Sequence, residues 1–229
     1  MGQLTAEPAL KNRVHVFVDR AHAGRLLAER LLNYRGQSVH LFAIPAGGVP
    51  VAAAIARRLA IPLELIIVRK IQLPHTTEAG FGALNPAGEA ILNEDLLARI
   101  SLSKEQIAAQ TEKAAASMRR REERLRNGKP YPQLAGQTVI VVDDGLASGF
   151  TMRAAIKFLK RQGAGQIIAA VPTASERTVQ DLLPLVDELV CLNVRSGWSF
   201  AVADAYANWY DLDEEEVLEI MASLEPSTA

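Results

Sequence analysis

The sequence predicts an α/β protein in which a parallel sheet is flanked by helices. Three observations carry that class. Five short runs, at 39–44, 63–68, 138–142, 166–171 and 187–192, are dominated by apolar and β-branched residues, as strands buried on both faces of a parallel sheet are. Stretches with apolar residues at helical spacing lie between them, and strict alternation of strand and helix implies right-handed crossovers. Two of the runs also end in small-residue loops that open directly into helices. No internal repeat or low-complexity segment interrupts the pattern.

In order along the chain, residues 1–12 read as a loose leader and 14–18 as a short strand. A helix follows from Asp19 or Arg20 to about residue 32, with Ala23, Leu26, Leu27, Ala28 and Leu31 on one face, and Asn33-Tyr34-Arg35-Gly36 ends it. His22 is a polar helix-face residue on the better reading and a catalytic base on the other. The run 39–44 ends in Pro45-Ala46-Gly47-Gly48-Val49-Pro50, with a helix from about 51 to 59. Backbone N–H groups at Gly47 and Gly48 offer an anion nest, although a plain strand-to-helix connection would look the same. The run 63–68 ends in Arg69-Lys70, two cations at the strand end where open α/β sheets bind ligands. For Lys70 the alternative is a solvated loop position.

Residues 71–137 form an insertion longer than an ordinary strand-to-helix connection. Within it, 81–84, the turn 85–88 and 89–92 read as a hairpin. Ser103-Lys104-Glu105-Gln106 is a capping box, and the long helix behind it stops at Asn127-Gly128. That helix carries Arg119, Arg120, Arg121, Arg124 and Arg126. Glu122 and Glu123 break the basic run and no aromatics interleave, so a solvated face is expected rather than a nucleic-acid surface.

The stretch 138–151, TVIVVDDGLASGFT, organises the rest. A buried strand delivers Asp143 and Asp144 to its carboxyl end, a small-residue loop follows, and Phe150-Thr151 opens a helix running to about 162. Carboxylates can accept hydrogen bonds from vicinal hydroxyls, while the loop and helix N-terminus can take a phosphate, so a sugar phosphate is the expected ligand class. The alternative is a turn bearing two solvated aspartates. Beyond it come the strand 166–171, stopped by Pro172, a helix over 175–183 and the last strand, 187–192. A tail from residue 194 holds Trp198 and Phe200. Its final helix starts near Asp213, with Glu214, Glu215, Glu216 and Glu219 expected on a solvated side.

The bulk numbers set limits. With 229 residues, 49% of them hydrophobic, the chain supports one good core or one core with an appended subdomain. A formal net charge of −1 gives no reason to expect general nucleic-acid binding. Cys191 is the only cysteine, which excludes an internal disulfide and a Cys-rich metal site, and its apolar setting predicts a buried thiol. No apolar run reaches the length of a membrane span, and MGQLTAEPALKNR lacks the apolar core of a signal peptide, so a cytoplasmic protein without membrane contact is expected.

The stretch VIVVDDGLASGFT resembles the phosphoribosyl pyrophosphate (PRPP) motif of type I phosphoribosyltransferases. FVDRAHAGRLLAERL, VRKIQLP, FGAL, RRREERLRNGKP, VPTASERTV and DELVCL extend the resemblance over most of the chain, to a subgroup of predicted phosphoribosyltransferases with a VDDGLAxG motif. It implies the type I phosphoribosyltransferase fold in one domain over 1–229, with a flap inside 71–137 and a small C-terminal hood at 194–229. On this resemblance Asp143 and Asp144 hold the ribose hydroxyls, and Gly145, Leu146, Ala147, Ser148, Gly149, Phe150 and Thr151 form the phosphate-binding turn, with 147–151 as its core. Ala46, Gly47 and Gly48 would take the pyrophosphate, approached by Arg69 and Lys70, with Lys70 counted beside the two acids as catalytic. Trp198 and Phe200 either stack on the acceptor base or pack the hood. His75, Thr76 and Thr77 are flap candidates by position.

The activity implied is transfer of the 5-phosphoribosyl group from PRPP to a nitrogenous base, releasing pyrophosphate. Mg²⁺ would bridge ribose hydroxyls and pyrophosphate, with Asp143 and Asp144 acting through the hydroxyls or water, and relatives of this type are commonly homodimers. Three positions depart from the family pattern. Ala147 stands where many purine-salvage members have a third acid, which speaks against a purine assisted by that acid. Gly145 replaces an aliphatic residue. Ala46 stands where near relatives read PRGGVP, which removes a guanidinium from the diphosphate. These departures leave open a second reading, a PRPP- or nucleotide-binding regulatory protein without turnover.

Overall fold

All five apolar runs enter one parallel sheet. The computed structural model describes residues 2–76, 79–197 and 199–224. Its first half comprises β1 (Gln3–Ala6), α1 (Arg20–Glu29), β2 (Val39–Ala43), α2 (Gly48–Leu59), β3 (Leu63–Leu65), β4 (Arg69–Gln72), β5 (Gly80–Leu84) and β6 (Ala90–Leu92). The second half comprises α3 (Glu94–Leu97), α4 (Lys104–Arg126), β7 (Thr138–Val142), α5 (Phe150–Arg161), β8 (Gln166–Ser175), α6 (Glu176–Leu182), β9 (Glu188–Arg195) and α7 (Glu214–Ala222).

The main sheet has the order β1-β9-β8-β7-β2-β3, and every neighbouring pair is parallel. Because strand side chains alternate, β7 feeds both faces. Ile140 and Val142 join the core beneath α1 and α2, whereas Val139 and Val141 join the core beneath α5. A separate antiparallel sheet, β4-β5-β6, lies beside α4 and α5. Its β5–β6 hairpin turns at Asn85, whose side chain accepts from the Ala87 and Glu89 N–H groups at 3.0 Å. Among the described residues no helix is long and apolar enough to cross a membrane.

Several boundaries differ from the sequence reading for physical reasons. The expected leader contains an edge strand, β1, in register with Glu188–Cys191 of β9. The expected strand at 14–18 does not form. His15 sits at φ 51°, and this segment bonds to the C-terminal loop instead: His15 N–H to Asp204 O at 2.7 Å and Phe17 N–H to Ala205 O at 3.0 Å. β3 stops at Leu65, and Arg69-Lys70 begins β4 of the second sheet rather than ending a core strand. β8 runs through Pro172 because β9 continues beside it, pairing Thr173 with Asn193 and Ser175 with Arg195. The arginine helix is not a uniformly solvated face. Arg121 and Arg124 pair with Glu214 and Glu215 of α7 at 2.9 and 2.6 Å, so those glutamates are not merely solvated either. Arg126 is buried with its guanidinium 3.8 Å from the Tyr131 ring centroid.

Candidate active site

β2 and β7 are neighbours, with Ala43 opposite Val142, so the loops that leave them emerge side by side at the carboxyl edge. The two loops are in close contact. A Cβ on Gly47 would lie 1.9 Å from Asp144 Oδ2, and one on Gly48 would lie 2.7 Å from Val142 O. Neither glycine has a positive φ, so closeness of approach excludes a side chain here, not backbone strain. The Pro45–Ala46 peptide is cis.

The two acids have different partners. Asp143 is buried, and its Oδ1 accepts the Asp144 N–H at 2.9 Å. Asp144 Oδ2 accepts from Arg20 Nε at 2.8 Å. Arg20 is only 6% exposed. Its guanidinium carbon lies 3.8 Å from the Trp209 ring centroid, and its Nη1 donates to Tyr210 O at 2.8 Å. Tyr206 completes the arrangement by donating its hydroxyl to Asp144 O at 2.6 Å. Burial pushes the Asp143 carboxyl well above the ordinary carboxylate range, and the Asp144 charge adds to it. Asp144 is also raised by burial, against the downward pull of Arg20.

Arg20 is not legible in the sequence as anything but a helix start. It is 124 residues from its acid, and no local spacing links the two. The one available signal is its place in the matching segment FVDRAHAG. His22, by contrast, accepts the Val18 N–H on its Nδ1 at 3.1 Å and caps the chain locally.

The pair makes one stability prediction. Raising an acid's pKa in the fold costs stability as pH climbs from the unfolded value, about 3.9, through the folded one. Asp143→Asn removes that cost. The variant is expected to be more stable than the parent at pH 7 by about 1 kcal/mol, roughly 2–4 °C in Tm. The gap should close as pH falls toward about 4. A melting series across pH that shows no gain at neutrality would contradict this picture of the pair.

The small-residue loop is tied to the end of β8. Leu146 N–H donates to Thr173 O at 2.9 Å, and Ser175 N–H donates to Leu146 O at 3.2 Å. The Thr178 hydroxyl donates to Ala147 O. Gly149 caps α5 at φ 74°, and a Cβ there would lie 2.6 Å from Thr178 Cγ2. A Cβ on Gly145 would lie 2.5 Å from Val202 Cγ1, which accounts for glycine at that unusual position. Ala147 and Ser148 remain exposed. Gly145, Leu146, Ala147, Ser148, Gly149, Phe150 and Thr151 all line a cavity of about 440 Å³.

Lys70 reaches that cavity too, from β4 across the gap between the two sheets. Arg69 does not line it; it faces a cleft against α4. Phe200 lines a different cavity, of about 610 Å³, that meets the loop at Ala147, and Arg195 lies 5.1 Å from its ring centroid. His75 and Thr76 line an outer cleft beside α4. Trp198 and Thr77 lie outside the described residues. Cys191 is buried as expected, and burial pushes its thiol up to about 12.

These features define an α/β protein with a crevice at the carboxyl edge of an open parallel sheet, the place where such sheets bind ligands. Residues 19–205 match the phosphoribosyl transferase domain, and the chain belongs to that family. The fold is the expected mixed α/β one with a central parallel sheet between helices. The chain is 36% identical over 203 residues to a protein of Mycobacterium tuberculosis H37Rv whose name provisionally makes it a phosphoribosyl transferase. That match covers 89% of this chain and 46% of the relative, so the chain spans less than half of that relative's length. The crystal structure of TT1426 from Thermus thermophilus superposes with a TM-score of 0.73 at 32% identity, covering 92% of this chain and 99% of that one. The AQ2163 protein from Aquifex aeolicus, 11% identical with a TM-score of 0.50 over 82% of this chain and 78% of that one, shares the fold.

Proposed function

We propose that this protein binds PRPP with Mg²⁺ and transfers its 5-phosphoribosyl group to a nitrogenous base, releasing pyrophosphate. One observation carries the reading: the acidic pair and both small-residue loops meet at a single edge, with the Asp144 carboxylate against Gly47. Ribose hydroxyls on Asp143 and Asp144 would place the 5-phosphate over the Ala147–Thr151 backbone and the α5 N-terminus. The diphosphate would then fall on the Ala46–Gly47–Gly48 loop. Lys70 lines the phosphate-loop cavity, from which it would supply a cation toward that charge. Such a site accelerates reaction by orientation and by donors placed where charge develops.

Among the described residues no cluster of three or more His, Cys, Asp or Glu forms a metal cage. The acidic pair fits a Mg²⁺ that arrives on PRPP and is reached through hydroxyls or water, since its oxygens are hard donors. Bound there, Mg²⁺ would screen the leaving diphosphate. The acceptor base would sit toward Phe200, whose cavity joins the loop at Ala147.

A regulatory protein that binds PRPP or a nucleotide without turnover is the second reading. Ala46 favours it, as does the claim of Arg20 on Asp144. A pyrophosphate-release screen with PRPP, Mg²⁺ and a panel of purines, pyrimidines and other nitrogenous acceptors separates the two. Release with one acceptor supports the transferase. Tight PRPP binding without release from any of them supports the regulator.

Ala46→Arg offers a sharper handle. A new charge-assisted pair to the diphosphate is worth about 1.5–3 kcal/mol, or roughly ten- to a hundred-fold in affinity. The gain is expected for PRPP and pyrophosphate and not for ribose 5-phosphate. Lys70→Ala should then harm the parent more than the Ala46→Arg variant, and a double-mutant cycle by calorimetry measures that coupling. Equal tightening of ribose 5-phosphate would show that this loop holds a different phosphate.

A further inference from the structure

We propose that the cleft between α4 and β4 is a second anion site, distinct from the sheet-edge crevice, whose ligand is a polyphosphate chain. The arginine helix disposes of its charge unevenly. Arg119 pairs with Glu112 at 2.9 Å, Arg121 with Glu214 at 2.9 Å and Arg124 with Glu215 at 2.6 Å. Arg126 is buried against Tyr131. Arg120 is the exception in this run: among the described residues it makes no ion pair or side-chain hydrogen bond. The same holds for Lys113 on the same helix and for Arg69 on β4.

These three residues line one cleft of about 200 Å³, together with Lys70, Gln110 and Ser117. No described Asp or Glu lines it. Three cations without an acidic partner therefore converge beside Lys70, although α4 and α7 supply acids to the neighbouring arginines. Arg69 also repels Arg121, adding to the larger effect of burial in weakening that guanidinium's hold on its proton. Like charges gathered in this way destabilise a fold, and a bound anion would offset that cost.

The spacing narrows the ligand. Lys113 and Arg120 are seven residues apart on one helix face, a rise of roughly 10 Å. A chain of phosphates matches that span and can meet both ends and Arg69 without drawing the side chains to one point. The cleft is too small to enclose a nucleoside in addition, so any nucleoside would project outward. The shared chemistry is thus a triphosphate-like chain, free or carried on a nucleotide. Lys70 lines both this cleft and the phosphate-loop cavity, so the test leaves it untouched.

Calorimetry on the full chain would titrate tripolyphosphate, GTP and ribose 5-phosphate. The double variant Lys113→Ala/Arg120→Ala is expected to weaken one tripolyphosphate-binding event by at least about tenfold, because charge-assisted contacts are lost. Ribose 5-phosphate binding should match the parent's. Arg119→Ala removes the same kind of charge from an exposed pair nearby and should change tripolyphosphate binding by less than about twofold. A parallel loss for GTP identifies a nucleotide-borne chain, and a loss for tripolyphosphate alone identifies the free one. The inference is overturned if the parent binds neither polyphosphate, if the double variant binds as the parent does, or if Arg119→Ala loses as much. Both altered positions are exposed, and melting curves check that the variants fold.

Discussion

Asp144→Asn is expected to destabilise the fold by about 3–5 kcal/mol, because it strands a buried guanidinium. Arg20 is enclosed by Trp209 and the C-terminal loop, and among the described residues Asp144 is the only carboxylate paired with it. Removing one charge leaves the other desolvated without compensation. Removing both avoids that penalty, so Asp144→Asn combined with Arg20→Met should be more stable than Asp144→Asn alone. Urea unfolding of the parent and the two variants measures the difference. A loss below about 1 kcal/mol in the single variant would mean that the pair is solvated enough to behave as a surface bridge. The contrast with Asp143→Asn, expected to stabilise, is the more telling because the two acids are adjacent. Burial costs both acids, but only Asp144 has a cation against it.

Gly149→Val is expected to abolish ribose 5-phosphate binding. The residue sits at φ 74°, where a side chain costs about 1–2 kcal/mol and a β-branched one more. The first added carbon would also strike Thr178 Cγ2, 2.6 Å away, and that threonine anchors the loop through the Ala147 carbonyl. The loop would have to move, and with it the backbone N–H groups proposed to take the phosphate. Binding is read by calorimetry on variant protein shown to be folded by circular dichroism. Parent-like affinity in a folded variant would place the phosphate elsewhere.

Most of the sheet was legible because burial on both faces leaves strands of almost unbroken apolar character. β7 fell at 138–142 as read, and the capping box at Ser103 and Gln106 marked the start of α4. What the pattern missed was decided by partners. β1 is half exposed and acquires strand geometry only by pairing with β9. Pro172 usually ends a strand, yet a long neighbour carries β8 past it. At the site, the acids, the glycines and the small-residue loop could be placed at one sheet edge because each group is contiguous in sequence. Arg20 could not, since a buried ion pair across 124 residues leaves no local trace. The cations of α4 looked alike in sequence; it took the packing of α7 to give Arg121 and Arg124 their partners, while Arg119 found Glu112 on its own helix and Arg126 was buried against Tyr131.

The position of β1 also bears on how the chain reaches this state. Its regular neighbour is β9, in a pairing that joins Gln3 to Glu188 across nearly the whole sequence. That contact closes a very large loop, and such non-local pairings form slowly. During synthesis the sheet can assemble outward from β2, β7 and β8 while β1 waits for a partner not yet made. A strand made long before its partner is therefore among the last to dock, and until it does, one flank of β9 offers an open edge to other chains.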